Sequence, residues 1–245
     1  MTDFSAEAIS SHLKNDHFPG KILVKQITAS TNDDAREFAG FDEWAVIIAE
    51  EQTNGRGRQG RTFYSPKNTG LYLSMVVPVS PENIFRITPA AAVAVCRTID
   101  QIAPGNDPKI KWVNDILIAG KKVAGILCET VPGTSDVIAG VGINLTTEAF
   151  PTDIKTIAGS VFPKTADKNV IAATLIKELK TAFTRFDFLD EYRNRSAVIG
   201  KQIRYCENNQ WHDAECIGIE ETGGLVIREK NETRTLISGE ISIRI

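Results

Sequence analysis

Arg56, Arg58 and Arg61 alternate with Gly55, Gly57 and Gly60 in the run GRGRQGR, residues 55–61, with Lys67 close behind. Residues 52–81 contain no Asp or Glu, although the whole chain carries a net charge of -3. Arginine is a permanently charged planar fork of donors that suits phosphate or carboxylate, and glycine lets backbone approach a ligand closely. This chemistry is local anion binding on an acidic protein; a solvated basic loop is the alternative that composition alone leaves open.

Three other stretches place reactive side chains in strand-like surroundings. KWVND, residues 111–115, puts Lys111, Trp112, Asn114 and Asp115 between Ile110 and Ile116, where a charged run needs partners if buried. GKKVAGIL, residues 120–127, offers Lys122 at the start of an apolar strand as a point charge for an anion. GVGIN, residues 140–144, alternates glycines along a strand, which weakens it unless something approaches the backbone.

The elements that must hold these residues are legible in outline. Ser5 is expected to cap a short helix carrying Ile9 and Leu13, too short for a helix-turn-helix domain. Strands are expected over 22–27, 45–49, 71–77 and 137–145, and helices after STN (residues 30–32), over 84–102 and over 167–186. Short strands with a turn at Ala119-Gly120 divide residues 109–130, so the sheet should be antiparallel or mixed. From about residue 200, short strands separated by polar turns and the alternation Ile241, Ile243, Ile245 predict a small β-barrel packed on the larger part. A catalytic domain over 1–195 and a barrel domain over 196–245 are therefore expected.

Composition excludes some classes. A hydrophobic content of 42% supports a packed core. The acidic balance argues against a general nucleic-acid binder. Cys96, Cys128, Cys206 and Cys216 form no CxxC pair, and His12, His17 and His212 form no ligand pattern, so reduced core thiols are expected and a zinc site is not. No signal peptide and no span long enough for a bilayer are visible, so no membrane and a cytoplasmic setting are expected.

GRGRQGR, KWVND, GKKVAGIL and GVGINL, in that order and preceded by STN and Gln52, closely resemble the biotin-protein ligase family. The resemblance covers residues 24–145 by motif and extends to ISGEI, residues 237–241. GRGRQGR lacks the context of a dinucleotide fingerprint, and no P-loop spacing is present.

The resemblance implies a class II synthetase-like α/β (α+β) fold, with a mixed β-sheet flanked by helices and an SH3-like barrel. It also implies a reaction: biotin and ATP give biotinyl-AMP and pyrophosphate, and the biotinyl group passes to a lysine of a biotin carboxyl carrier domain, as in acetyl-CoA carboxylase. Lys122 matches the lysine that meets the biotin carboxylate and adenylate phosphate, with Arg56 and Arg58 in the covering loop, Arg61 ordering it on the nucleotide side, and Asp115 a catalytic candidate. Ser30, Thr31, Asn32, Gln52, Gly55, Gly57 and Gly125 match positions around biotin. Trp112, Asn114, Asp115 and Asn144 match the nucleotide side, with Asp115 in the Mg2+ region.

Val113 departs from the family's usual Pro and Phe63 from its usual Trp, which bears on pocket shape. A lipoate ligase, a biotin-responsive repressor and a non-catalytic biotin or nucleotide sensor are the rival readings. About twenty residues precede the first strand, so no winged helix is expected, and a homodimer stays open.

Overall fold

The computed structural model describes every residue except Met1, Asn208, Asn209, Asn231, Ser238, Arg244 and Ile245. Of the expected C-terminal features, Ser238 in ISGEI and Ile245 in the isoleucine alternation lie outside the described residues.

Seven strands form the larger sheet: β1 (Lys21–Lys25), β2 (Ala45–Ala49), β3 (Gly70–Pro78), β4 (Lys109–Lys111), β5 (Asp115–Ile118), β6 (Lys121–Thr130) and β7 (Asp136–Asn144). Their order is β1-β2-β3-β7-β6-β5-β4. The first pair, β1 and β2, is parallel and the rest are antiparallel, so the sheet is mixed.

Five helices accompany the strands: α1 (Ala6–His12), α2 (Thr31–Ala35), α3 (Ile87–Ile102), α4 (Lys168–Arg185) and α5 (Leu189–Asn194). Ser5 caps α1 by accepting from the Ala8 amide, as its sequence position predicts. Ser30 stands at the start of α2, the helix expected after STN, but makes no capping bond with its side chain. The helix expected over 84–102 begins as a 3-10 turn, Pro81–Arg86, before α3. Asp167 caps α4 through the Asn169 amide, and Phe186 ends it in the left-handed region at φ 51°. Helix α5 has no counterpart in the sequence expectations, being too short for a periodic signal.

The sheet has two unlike faces because strand side chains alternate. In β7, Val137, Ala139, Val141 and Ile143 join the core that includes Ile87, Ala91, Val95, Leu175 and Leu179 of α3 and α4. The small run 90–94 in α3 is wholly buried and lets helix and sheet approach closely. On the other face of β7, Ile138, Gly140, Gly142 and Asn144 face α2 or the cleft beside it.

β8 (Gln202–Glu207), β9 (Gln210–Ile219), β10 (Leu225–Glu229), β11 (Glu232–Leu236) and β12 (Glu240–Ile243) form a second, antiparallel sheet in the order β11-β10-β9-β8-β12. Ile203, Tyr205, Cys216, Leu225 and Ile227 turn inward and belong to the same apolar core as the larger sheet. Burial pushes the Cys96 thiol up to about 12 and those of Cys128 and Cys216 to about 11, so these three behave as small apolar groups. Among the described residues no helix is long and apolar enough to cross a membrane.

Candidate functional site

A cleft of ≈ 280 Å³ opens over the glycine-bearing face of the larger sheet. Its floor is made by register. Gly125 of β6 pairs with Gly142 of β7, and Gly140 pairs with Ser74 of β3. A Cβ on Gly142 would run into the ring of Phe63, and one on Gly125 would lie 3.2 Å from that ring and 3.1 Å from Lys122 Cε. The alternating glycines of GVGIN therefore clear one face of β7 while its other residues stay in the core.

Lys122 reaches this face through a β-bulge. Asp115 and Ile116 of β5 oppose Gly125 and Ala124, but Leu117 opposes Lys122, so Val123 is the extra residue. A single inserted residue reverses the facing of what precedes it. Lys122 thus shares the cleft with Gly125 while Val123 is buried in the core. The turn that returns β5 to β6 has Ala119 at φ 47° and Gly120 at φ 76°, the left-handed pair that a tight hairpin requires. Because β5 and β6 are joined this way, Lys122 Nζ lies 2.6 Å from Asp115 Oδ1.

The basic run folds as a small hairpin. The Gly57 amide donates to Arg61 O at 2.7 Å and the Phe63 amide to Gly55 O at 2.9 Å. Gln59 and Gly60 take positive φ at the tip. Gly57, Arg58 and Arg61 line the cleft, whereas Gly55 lies behind it, where a Cβ would meet Phe63 O at 2.5 Å. Arg56 also borders the cleft, but its guanidinium is committed to Glu129 Oε2 at 2.9 Å and Asp33 Oδ1 at 2.7 Å.

The STN segment and Gln52 interlock beside the floor. Gln52 Oε1 accepts from the Thr31 amide and hydroxyl at 2.9 and 3.1 Å, and its Nε2 donates to Ser65 Oγ at 2.9 Å. Ser74 Oγ joins Thr31 Oγ1 at 2.7 Å and Asn32 Oδ1 at 2.6 Å. Thr31 and Asn32 are buried, so their polar atoms need these bonds; Ser30 beside them is buried too.

At the other end, Asn114 donates to Ile126 O at 2.8 Å and Asn144 to Gly159 O at 3.0 Å. The buried Asn144 Oδ1 has no partner among the described residues. The Trp112 indole donates to Gly223 O at 2.9 Å, and Gly239 and Ile241 border the cleft, so the C-terminal sheet closes this end. The peptide bond between Trp112 and Val113 is cis.

All the sequence-predicted residues except Gly55 border one cleft. Sequence reasoning did not place Phe150, Ile154 or Ile157 beside it, nor Ser74, Glu129 and Asp33 in contact with residues that line it. Only Glu129, in the same strand as Lys122, carried a signal: a carboxylate just beyond an apolar run.

A family model for the biotin/lipoate A/B protein ligase family matches residues 23–145. The chain is 34% identical over 193 residues to the biotin--[acetyl-CoA-carboxylase] ligase of Mycobacterium tuberculosis, covering 72% of this chain and 71% of that protein. It is 29% identical to the bifunctional ligase/repressor BirA of Bacillus spizizenii, over 98% of this chain and 79% of that one. Its fold is similar to the biotin protein ligase of Aquifex aeolicus in complex with biotin and ATP, with TM-score 0.79 at 24% identity, covering 91% and 98% of the two chains.

Proposed function

The chain belongs to the biotin/lipoate A/B protein ligase family, and from that premise we propose that it is an ATP-dependent biotin-protein ligase. The observation that carries the reading is Lys122, turned by the bulge over the glycine floor beside a loop of arginines. In the first step a biotin carboxylate oxygen bonds to the α-phosphorus of ATP and pyrophosphate leaves. Two anions must meet, and Lys122, Arg58 and Arg61 supply fixed positive charge where negative charge develops. The paired Asp115 holds the Lys122 ammonium in place until the anions arrive.

Biotin's ring is assigned to the floor by Ser30, Thr31, Asn32, Gln52, Gly57 and Gly125, with Arg56 and Gly55 supporting the loop from behind. The nucleotide is assigned to the end bounded by Trp112, Asn114, Asp115 and Asn144, where the unpartnered Asn144 Oδ1 suits an amino donor such as that of adenine. In the second step a lysine amine of a biotin carboxyl carrier domain bonds to the acyl carbon and AMP leaves. This route uses no nucleophile of the enzyme; the cleft holds the mixed anhydride and keeps water from it.

No group of three or more His, Cys, Asp or Glu able to hold a metal is found among the described residues. Asp115 alone is a poor cage, so Mg2+ would arrive with the ATP phosphates and offset their charge, with Asp115 the residue that would help to hold it. Residues 1–195 form the catalytic unit in this reading and 196–245 a second unit that completes the nucleotide end.

The test is incubation with ATP, Mg2+, biotin and an acetyl-CoA carboxylase carrier domain, followed by mass spectrometry of the carrier. A biotin-sized gain on one lysine is expected. Transfer of lipoate with no transfer of biotin would overturn the reading.

A further inference from the structure

Glu129, near the end of β6, sits where three parts of the site meet. Its Oε2 accepts from Asn32 Nδ2 of α2 at 2.8 Å and from the Arg56 guanidinium of the basic loop at 2.9 Å. Its Oε1 accepts from Arg36 at 2.9 Å. Asp33 also pairs with Arg56, at 2.7 Å, and with Arg36, at 3.7 Å. Two carboxylates and two guanidiniums thus form a balanced cluster with only 23% of the Glu129 side chain exposed.

We propose that Glu129 is a positioning residue that fixes the base of the arginine loop to the strand bearing Lys122. Arg56 is the connecting group: its charge is spent on Glu129 and Asp33, so it anchors the loop while Arg58, in the cleft, stays available to a bound anion. Among the described bonds, Arg56 adds to those of the Gly55–Ser65 stem a direct link from the loop to the strand of Lys122, and without it the tip would drift relative to Lys122. Asn32, bonded to both Ser74 and Glu129, passes the same constraint to the STN segment. A misplacement of the loop by about 1 Å is enough to lower a rate roughly a hundredfold.

This inference rests on the ligase reading. The experiment measures how fast preformed biotinyl-AMP is lost from the wild-type chain and from Glu129→Ala, Glu129→Gln, Arg56→Ala, Arg36→Ala and the Glu129→Ala/Arg56→Ala double variant, with thermal unfolding of each.

Loss about 10- to 100-fold faster is expected for the Glu129 and Arg56 variants. The double variant should be no worse than either single, because one connection is being cut. Arg36→Ala removes the pairs to Glu129 and Asp33, neither of which joins Arg36 to the loop, and its adenylate retention should match the wild type. Glu129→Gln keeps the side-chain shape and serves if the alanine variant does not fold. Equal retention by folded Glu129→Gln and wild type, or an equal defect in Arg36→Ala, would overturn the positioning role. Failure of the wild-type chain to form any biotinyl-AMP would instead overturn the ligase reading.

Discussion

Two of the lysine–carboxylate pairs among the described residues, Lys168–Glu50 beneath the helices and Lys122–Asp115 in the cleft, teach opposite lessons. Lys168, the first residue of α4, meets Glu50 just after β2 with side-chain exposures of 1% and 0%. Glu50 also accepts from the Phe4 amide at 2.7 Å, and Lys168 Nζ lies 4.4 Å from the centre of the Phe4 ring. Lys122 and Asp115 are 34% and 24% exposed. The first pair is sealed from solvent, so each charge depends on the other and on Phe4. The second faces open space, and a ligand anion can share or replace Asp115 at modest cost, because solvent screens exposed pairs.

Cutting the buried pair should give the largest effect. Lys168→Ala is expected to destabilise the fold by about 3–5 kcal/mol in urea unfolding, since it strands the Glu50 carboxylate. Replacing both partners with apolar residues should recover much of the loss; a double variant as unstable as the single would break the contrast.

On the cleft side, Lys122→Ala should leave the unfolding midpoint almost unchanged yet slow biotinyl-AMP formation by roughly 100- to 1000-fold. Pyrophosphate release is the measure, and an unchanged rate would remove Lys122 from the chemistry.

Gly142→Val sharpens the comparison on the sheet itself. Its side chain would displace Phe63 and fill the floor, so biotin affinity by calorimetry should fall by roughly 10- to 100-fold, or about 1.4–2.7 kcal/mol, with a smaller change in stability.

The smallest effect belongs to the cap of α4. Burial raises the Asp167 carboxyl, but hydrogen bonds from the Asn169 amide and from the Thr2 and Asn169 side chains outweigh it and hold the group below its ordinary value. The charged form is thus favoured by folding. Its contribution is complete above the unfolded value and fades as pH falls through the folded one. Asp167→Ala should cost about 1 kcal/mol at neutral pH, and the gap from wild type should shrink in acid. A gap constant with pH would show that the carboxylate charge is not involved.

Much of the fold was legible because its signals are local. The strand expected over 45–49 coincides with β2, and the helix expected over 167–186 is α4 with its two caps, since periodicity and capping residues report on their own neighbours. The strands expected over 71–77 and 137–145 differ from β3 and β7 by one residue at every end. The parallel pairing of β1 with β2 was not legible, because nothing in either strand names its neighbour. Of the site, residue types were visible but not their engagements: Arg56 reads as an anion ligand, and its pairing with Glu129 and Asp33 left no trace in the sequence.

By itself, the sequence determined the site's chemical inventory: the arginine loop, Lys122, the glycines of the floor and the amides of Asn114 and Asn144. Only the tertiary structure decided which charges are spent and which are free. Glu50 meets Lys168 across 118 residues and Glu129 meets Arg56 across 73, and such contacts leave no periodic trace. Lys122 faces the cleft because of one bulged residue, Val123. Facing in a strand flips with each single-residue shift, so the side that a lysine takes is a property of the paired sheet and not of the strand's own sequence.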